Sequence, residues 1–393
     1  LFVFARRVEH CYNIAELRKL AQKRLPAPMF HYIDGAADDE WTLRRNTRAF
    51  DGYEFQPRCL VDVAKIDMST TVFGERIEWP FFCAPTALSR LFHHEGERAV
   101  VRAAHAAGTF YSLSSFSSLS IEDVAKLSPG PKAFQVYVLK DRGLTREFIQ
   151  RARSAGFKAL QLTVDVAVSG NRERDIVTGM TVPPKLSLMS LFDIAMHPWW
   201  VYRHLTSPKI EMANVAHRPP PGSEKLGGII QYLNNQLDRG VTWADAEWMI
   251  KEWGGPFAIK GVMTAADAKR ARNAGATAVM LSNHGGRQLD FSPAPVDTLE
   301  QVVEAVGGEI EIIVDGGIRR GVHVLKALAL GATACSGGRA YLFGLGAGGE
   351  RGVTQALKIL RTEIERDMAL LGCARLKDLD ATLVRKVAGA WAS

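Results

Sequence analysis

The 393-residue chain is short of several things, and each absence excludes something. Cysteine is scarce: Cys11, Cys59, Cys83, Cys335 and Cys373 lie scattered, with no CxxC pair. An odd, scattered set argues against a disulfide framework and for a reducing compartment, and no metal site is expected. No tract reaches the ~18 apolar residues of a membrane span. The opening "LFVFARRVEHCYNIAELRKLAQKRLP" has no small-residue cleavage site after an apolar core, so no secretory signal is expected. Long basic runs and nucleic-acid-binding motifs are also missing. The net charge of +7 therefore points to anionic lipid or an anionic substrate ahead of nucleic acid. Hydrophobic residues make up 47% and charged residues 23%, which is globular composition.

What is present is a rhythm. Residues 13–48 read as two helical pieces broken at Pro26 and Pro28. From about residue 80, short apolar runs alternate with helical stretches. The runs are "FFCAPT" (81–86), "TFYSLSS" (109–115), "AFQVYV" (133–138), "ALQLTVD" (159–165), "FAIKG" (257–261), "AVMLSN" (278–283), "IEIIVDG" (310–316) and "ATACSGG" (332–338). Helical candidates include "WADAEWMIKEW" (243–253), "TAADAKRARNAGA" (264–276) and "GVHVLKALALGA" (321–332). Near-continuous apolar strands are those of a parallel sheet covered on both faces. Eight β–α units predict an α/β fold, a (β/α)8 TIM barrel with an N-terminal helical extension. The alternative is a doubly wound open sheet, but no GxGxxG follows the first strand. The expected organisation is one domain over 1–393. Within it, 13–75 form N-terminal helices and lead-in, 80–370 the barrel, and 176–240 a long insertion after strand four. Loops of that length are usually functional or disordered.

Barrel enzymes place their chemistry where strands end at the C-terminal face, and polar residues collect there. Thr86, Ser114 with Ser115, Gln135 with Tyr137, Thr163 with Asp165, and Lys260 belong to the first five strand ends. Ser282, Asn283, His284 and Arg287, then Asp315, Gly316, Gly317 and Arg319, then Gly337, Gly338 and Arg339 belong to the last three; Arg172 follows Asp165 by seven residues. Singly, each has a bland reading as a cap, a turn or a solvated end. Six of eight strand ends with an ionisable side chain make independent accidents a poor account, because charge is costly near a barrel core unless paired. The glycines and arginines after strands seven and eight suit a phosphate site, so a phosphorylated cofactor or substrate is expected.

At "SNHGGRQLD" (282–290) the chain resembles the FMN-dependent L-α-hydroxy acid dehydrogenase and oxidase family, closest in type to its bacterial quinone-linked L-lactate dehydrogenases. "APTAL" (84–88), "FQVYV" (134–138), "LTVDV" (162–166), "IKGV" (259–262) and "DGGIRRG" (315–321) support this in the expected order, and the likeness extends from "LAQKRLPAPMFHYIDGAADDE" to "LGCARLKDL". The resemblance implies FMN as cofactor, a small 2-hydroxy acid as substrate, quinone or oxygen as acceptor, and a homotetramer. It implies His284 as the base, taking either the α-proton or the hydroxyl proton, with Asp165 behind it. Arg287 and Arg172 would clamp the substrate carboxylate, Tyr32 and Tyr137 would complete the pocket, and Lys260 would stabilise the reduced flavin. Thr86, Ala87, Ser114, Gln135, Thr163 and Ser282 would hold the ring and ribityl chain; Asp315, Gly317, Arg319, Gly338 and Arg339 would hold ribityl and phosphate. Ala87, where a mandelate-type relative has glycine, points to a small aliphatic substrate. Phe116, where glycolate oxidases have tryptophan, weakens a strict glycolate assignment. L-lactate is the favoured substrate, with longer or aromatic acids open.

Within the insertion, "LSLMSLFDIAMHPWWVYRHLTSPK" (186–209) mixes aromatic, aliphatic and basic residues, a composition that suits a membrane interface. It could equally be a lid with its aromatics packed inward. The resemblance tips the expectation toward a peripheral, quinone-linked dehydrogenase on the cytoplasmic side of the inner membrane. The alternatives are a cytoplasmic oxidase that uses oxygen and, less expected, a non-redox FMN-binding barrel.

Overall fold

The computed structural model describes residues 7–181, 185–215, 232 and 235–387. Eight parallel strands close into a barrel: β1 (Phe81–Cys83), β2 (Tyr111–Ser114), β3 (Lys132–Val136), β4 (Ala159–Thr163), β5 (Phe257–Val262), β6 (Ala278–Leu281), β7 (Glu311–Asp315) and β8 (Ala334–Gly337). Every one of the eight apolar runs supplies a strand. Strand residues one apart point to opposite sides. Ala133, Ala159, Ala258, Ala278 and Ala334 therefore face inward and pack with Phe82, Phe110, Met280 and Ile313. Their neighbours Phe134, Val136, Leu160 and Leu162 join the larger core between the barrel wall and its helices. A short antiparallel hairpin, Thr70–Val72 with Glu75–Ile77, brings Val72, Phe73 and Ile77 against the inner cluster.

The N-terminal extension forms three helices where two pieces were expected: α1 (Ile14–Arg24), α2 (Ala27–Asp34) and α3 (Trp41–Arg48). Only one proline position marks a break. Pro26 is the N-cap of α2, and Pro28 sits in the first turn, where a missing N–H costs nothing because that donor has no intrahelical partner. Around the barrel run α4 (Glu97–Ala106), α5 (Ile121–Leu127) and α6 (Arg142–Ser154). The insertion contributes α7 (Glu173–Val177), α8 (Leu188–Ala195) and α9 (Pro198–Leu205). Next come α10 (Trp243–Trp253), α11 (Ala265–Asn273), α12 (Pro295–Val306), α13 (Gly321–Ala329) and α14 (Arg339–Leu371). α10 has the bounds read from the sequence, and Thr242 starts it with a capping box closed by Asp245. Of the expected 176–240 insertion, residues 182–184, 216–231 and 233–234 lie outside the described residues.

Strand register assembles the upper ring of the barrel. Ser114 pairs with Gln135 across β2 and β3. Thr163 pairs with Lys260 across β4 and β5, and Asp315 pairs with Ser336 across β7 and β8.

Candidate active site

One cavity of about 740 Å³ opens at this ring. It is lined by Tyr32, Thr86, Ala87, Ser114, Gln135, Tyr137, Thr163, Arg172, Lys260, His284, Arg287, Asp315, Gly317, Arg319, Gly338 and Arg339. Two further residues from the sequence-based set, Asp165 and Ser282, reach it through hydrogen bonds to these. The cavity thus draws on all eight strand ends and on α2.

His284 follows β6 in the left-handed region, at φ 57°. That conformation is rare for a residue with a Cβ and marks a position held by its surroundings. The backbone N–H of His284 donates to Ser282 Oγ at 3.2 Å, and its Nδ1 lies 2.9 Å from Asp165 Oδ1. With Nδ1 against a carboxylate, Nε2 is the nitrogen left for chemistry. Asp165 is admitted by a residue the sequence reading did not use. Gly261 sits at φ 109°, and a Cβ there would lie 2.9 Å from Asp165 Cβ. Gln288 fixes the same loop from the other side, donating from Nε2 to Asp165 O at 2.9 Å and Val168 O at 2.7 Å.

The cation beside this pair is Lys260. Its Nζ donates to Asp315 Oδ2 at 2.6 Å and Ser282 Oγ at 2.7 Å. Ser282 Oγ and Ser336 Oγ donate to the two oxygens of Asp315, each at 2.8 Å. Burial alone would depress the Lys260 ammonium, but Asp315 and then Asp165 outweigh it and hold it above its ordinary value. Burial would raise Asp315; Lys260 and the three hydrogen bonds hold it below the usual carboxylate range. Lys260 is thus a locked positive charge.

Arg287 is half-buried and donates from Nη1 to Tyr32 O at 2.6 Å, with its guanidinium 4.8 Å from the Tyr32 ring centre. Burial, and then the Arg172 charge, lower its pKa. Two guanidiniums that repel each other inside a cavity form a site for an anion. Tyr137 stacks obliquely on Phe116 at 4.9 Å. Burial and nearby Asp165 push its phenol above the ordinary range, so its hydroxyl stays protonated.

Across the cavity, two polar atoms wait for partners, one on an amide and one on a hydroxyl. Ser114 Oγ donates to Gln135 Oε1 at 2.9 Å. Gln135 Nε2 and Thr163 Oγ1 are buried with no hydrogen-bond partner, a costly state unless a ligand supplies one. Thr86 Oγ1 meets the Tyr341 hydroxyl at 2.7 Å, and Tyr341 in turn donates to Ala84 O. After β7, Gly317 (φ 76°) passes so close to α3 that a Cβ would stand 2.0 Å from Asn46 O. Arg319 and Arg339 are both half-buried there. Burial pushes Arg319 down to about 10. Burial, then Arg287 and Arg319, push Arg339 well below its ordinary value. Arg339 donates to Ile33 O, Gly285 O and Gly35 O at 2.7–2.9 Å, joining β8 to α2 and the His284 loop. Buried polar atoms without partners, in one cavity with half-buried arginines, fit a flavin mononucleotide.

Residues 21–386 match the model of the FMN-dependent dehydrogenase family. The chain belongs to that family. It is 42% identical over 367 residues to glycolate oxidase 1 of Oryza sativa subsp. indica, covering 93% of this chain and 94% of the relative. It is equally similar, over the same length, to glycolate oxidase of Spinacia oleracea. Among solved structures it matches a monotopic membrane protein, (S)-mandelate dehydrogenase, with a TM-score of 0.92 and 35% identity over 96% of this chain and 100% of that one. As a family member it uses FMN and oxidises an L-2-hydroxy acid. These relatives carry the names glycolate oxidase and mandelate dehydrogenase. The sequence-based assignment to the lactate dehydrogenase type is therefore replaced by the family as a whole. Among the described residues no cluster of His, Cys, Asp or Glu could hold a metal, and no described helix is long and apolar enough to cross a membrane.

Beyond Gly261 and Gln288, the sequence reading passed over Asp175. It lines the cavity and is 6% exposed. The available signal was its place three residues after Arg172, on the same face of one helical turn.

Proposed function

We propose that this dehydrogenase oxidises an L-2-hydroxy acid with an apolar side chain, L-lactate being the first to test, and delivers the electrons to a quinone at a membrane surface. The observation that carries the chemistry is the His284–Asp165 pair at 2.9 Å, in one cavity with Arg172 and Arg287. The two arginines hold the substrate carboxylate, and Tyr32 and Tyr137 direct their hydroxyls at its oxygens. His284 Nε2 takes a proton from the substrate, and Asp165 steadies the imidazolium that results. FMN, when bound, supplies the acceptor for the electron pair. Thr86, Ala87, Ser114, Gln135, Thr163 and Ser282 would hold its ring and ribityl chain, and Lys260 would supply a positive charge to its reduced form. Asp315, Gly317, Arg319, Gly338 and Arg339 would take the ribityl chain and phosphate. Ala87, Phe92, Phe116, Met180 and Met212 line the same cavity, which supports an apolar substituent on the substrate.

The acceptor reading rests on α8 and α9. Leu188 is 86% exposed, Leu205 81%, and Phe192 and Trp199 each 64%. A surface of this kind on a soluble face is an interaction site, and the inward-packed lid considered from sequence accounts only for Trp200. Its indole donates to Leu91 O at 3.2 Å. The likeness to the (S)-mandelate dehydrogenase, a monotopic membrane protein, supports a membrane as the partner. A second reading, an oxidase that uses oxygen, is favoured by the glycolate oxidase relatives. Anaerobic mixing of the yellow protein with L-lactate tests both. Bleaching of the flavin, with recovery only on adding a soluble quinone, is the expected result. Fast recovery in oxygen would establish the oxidase. No bleaching by any L-2-hydroxy acid would overturn the substrate class.

A further inference from the structure

Arg172 and Asp175 stand on one turn at the start of α7, and both face the cavity. Arg172 Nη1 lies 3.7 Å from Asp175 Oδ2, and the Asp175 backbone N–H donates to Arg172 O at 3.0 Å. Between them Arg174 points the other way. It pairs with Asp34 Oδ2 at 3.0 Å and with Glu40, which ties the turn to the N-terminal helices. The spacing of Arg172 and Asp175 is therefore held by backbone that is itself anchored. The separation is an ion pair without a good hydrogen bond, so the carboxylate attracts Arg172 without capturing it.

Charge accounts for the arrangement. Two half-buried guanidiniums that line one cavity with no anion near them would raise the energy of the substrate-free site. Burial outweighs the pull of Arg287 and then Arg172 and leaves the Asp175 pKa raised, so these two cations are what favours its charged form.

We infer that Asp175 is a positioning residue: an internal counter-anion that holds Arg172 in the empty site and yields it to the substrate carboxylate. The inference rests on the proposed role of Arg172 and Arg287 as the carboxylate clamp. It makes Asp175 a competitor of every anion that enters, substrate and product alike. Affinity for the carboxylate is thereby lowered and its release made easier.

The test uses oxidised holoenzyme titrated with oxalate, followed by the change in the flavin spectrum. Asp175→Asn removes the competitor, and the oxalate Kd is expected to fall about fivefold. Asp175→Glu carries the charge one methylene closer to Arg172, and the Kd is expected to rise. Opposite signs from the two variants would not come from a merely structural role, which weakens binding in both. Unchanged or weaker binding in Asp175→Asn overturns the inference. Should that variant not retain FMN, Asp175→Glu decides: unchanged or tighter binding overturns it. Arg287→Lys separates the two readings. Weaker oxalate binding there upholds the clamp whatever Asp175 does, whereas unchanged binding overturns the clamp itself.

Discussion

At the lower end of the barrel, Phe82 and Phe110 meet Phe73 from the hairpin edge to face, at 6.0 and 5.7 Å, over a floor of strand alanines. At the upper end the same strands present Lys260, Asp315, Ser282 and Ser336 in a closed set of hydrogen bonds, and Gln135 and Thr163 with atoms left over. The lower end is complete in itself. The upper end is complete only in its ionic half, and the other half is finished by a ligand. Stability and function are thus separated along a single strand. The apolar end can be sealed by packing alone, whereas a buried charge needs a partner and a buried amide needs an acceptor.

The largest expected effect breaks the upper end. His284→Ala should keep the yellow FMN and lose about 10³-fold or more in rate of flavin reduction, measured by stopped-flow mixing with the hydroxy acid. Normal reduction would remove His284 as the base. Asp315→Asn comes next, because it strands the buried Lys260 charge. A loss of about 3–5 kcal/mol is expected near neutral pH, read from unfolding of the FMN-free protein. The pH dependence sharpens it. Asp315 is lowered in the folded state, so its contribution is present above the unfolded carboxylate value near ~4 and lost as pH falls below that. Lys260 is raised, so its contribution holds below ~10 and is lost as pH climbs past it. The deficit of the variant should therefore shrink in acid. A deficit independent of pH would mean packing, not charge, is lost.

At the lower end, Phe82→Ala should cost about 3–5 kcal/mol by leaving a cavity. The rate per bound flavin should stay within about twofold, since no group in contact with the reacting atoms moves. A hundredfold loss in that rate would show that the two ends are coupled. The smallest effect on the folded protein belongs to α8 and α9. Replacing Leu188, Phe192, Trp199 and Leu205 by Ser or Gln should change stability by about 0.5 kcal/mol or less per site, and turnover with a soluble quinone should be kept. Co-sedimentation with anionic phospholipid vesicles should be lost. Retained sedimentation would place membrane contact elsewhere or nowhere.

The placement of the upper-ring residues was legible from sequence because each strand delivers one residue to it by period-two geometry. "SNHGGRQLD" and "DGGIRRG" carry their residues within a few positions of a strand end. Thus His284, Lys260 and Asp315 could be assigned to one face before any coordinates. What linear reading passed over acts across elements. Gly261 matters only because β4 and β5 bring its missing side chain against Asp165. Asp175 matters only because α7 brings it into the cavity that Arg287 also lines. Arg339 lay in the right motif, yet its donors to α2 and the His284 loop could not be seen in "SGGRA". Pro28 looked like a breaker until Pro26 proved to be the cap.

The sequence by itself determined the eight strands, their order and the residues at their ends, since apolar periodicity and glycine-marked turns are local properties of a chain. Only the tertiary structure decided which of those end residues are satisfied and which wait for a ligand. It also decided that α8 and α9 turn their apolar side outward, and that the Asp175 carboxylate stands 3.7 Å from Arg172 in the cavity both arginines line. Hydrogen-bond satisfaction, exposure and the balance of buried charge depend on neighbours distant in sequence, so no stretch of residues contains them.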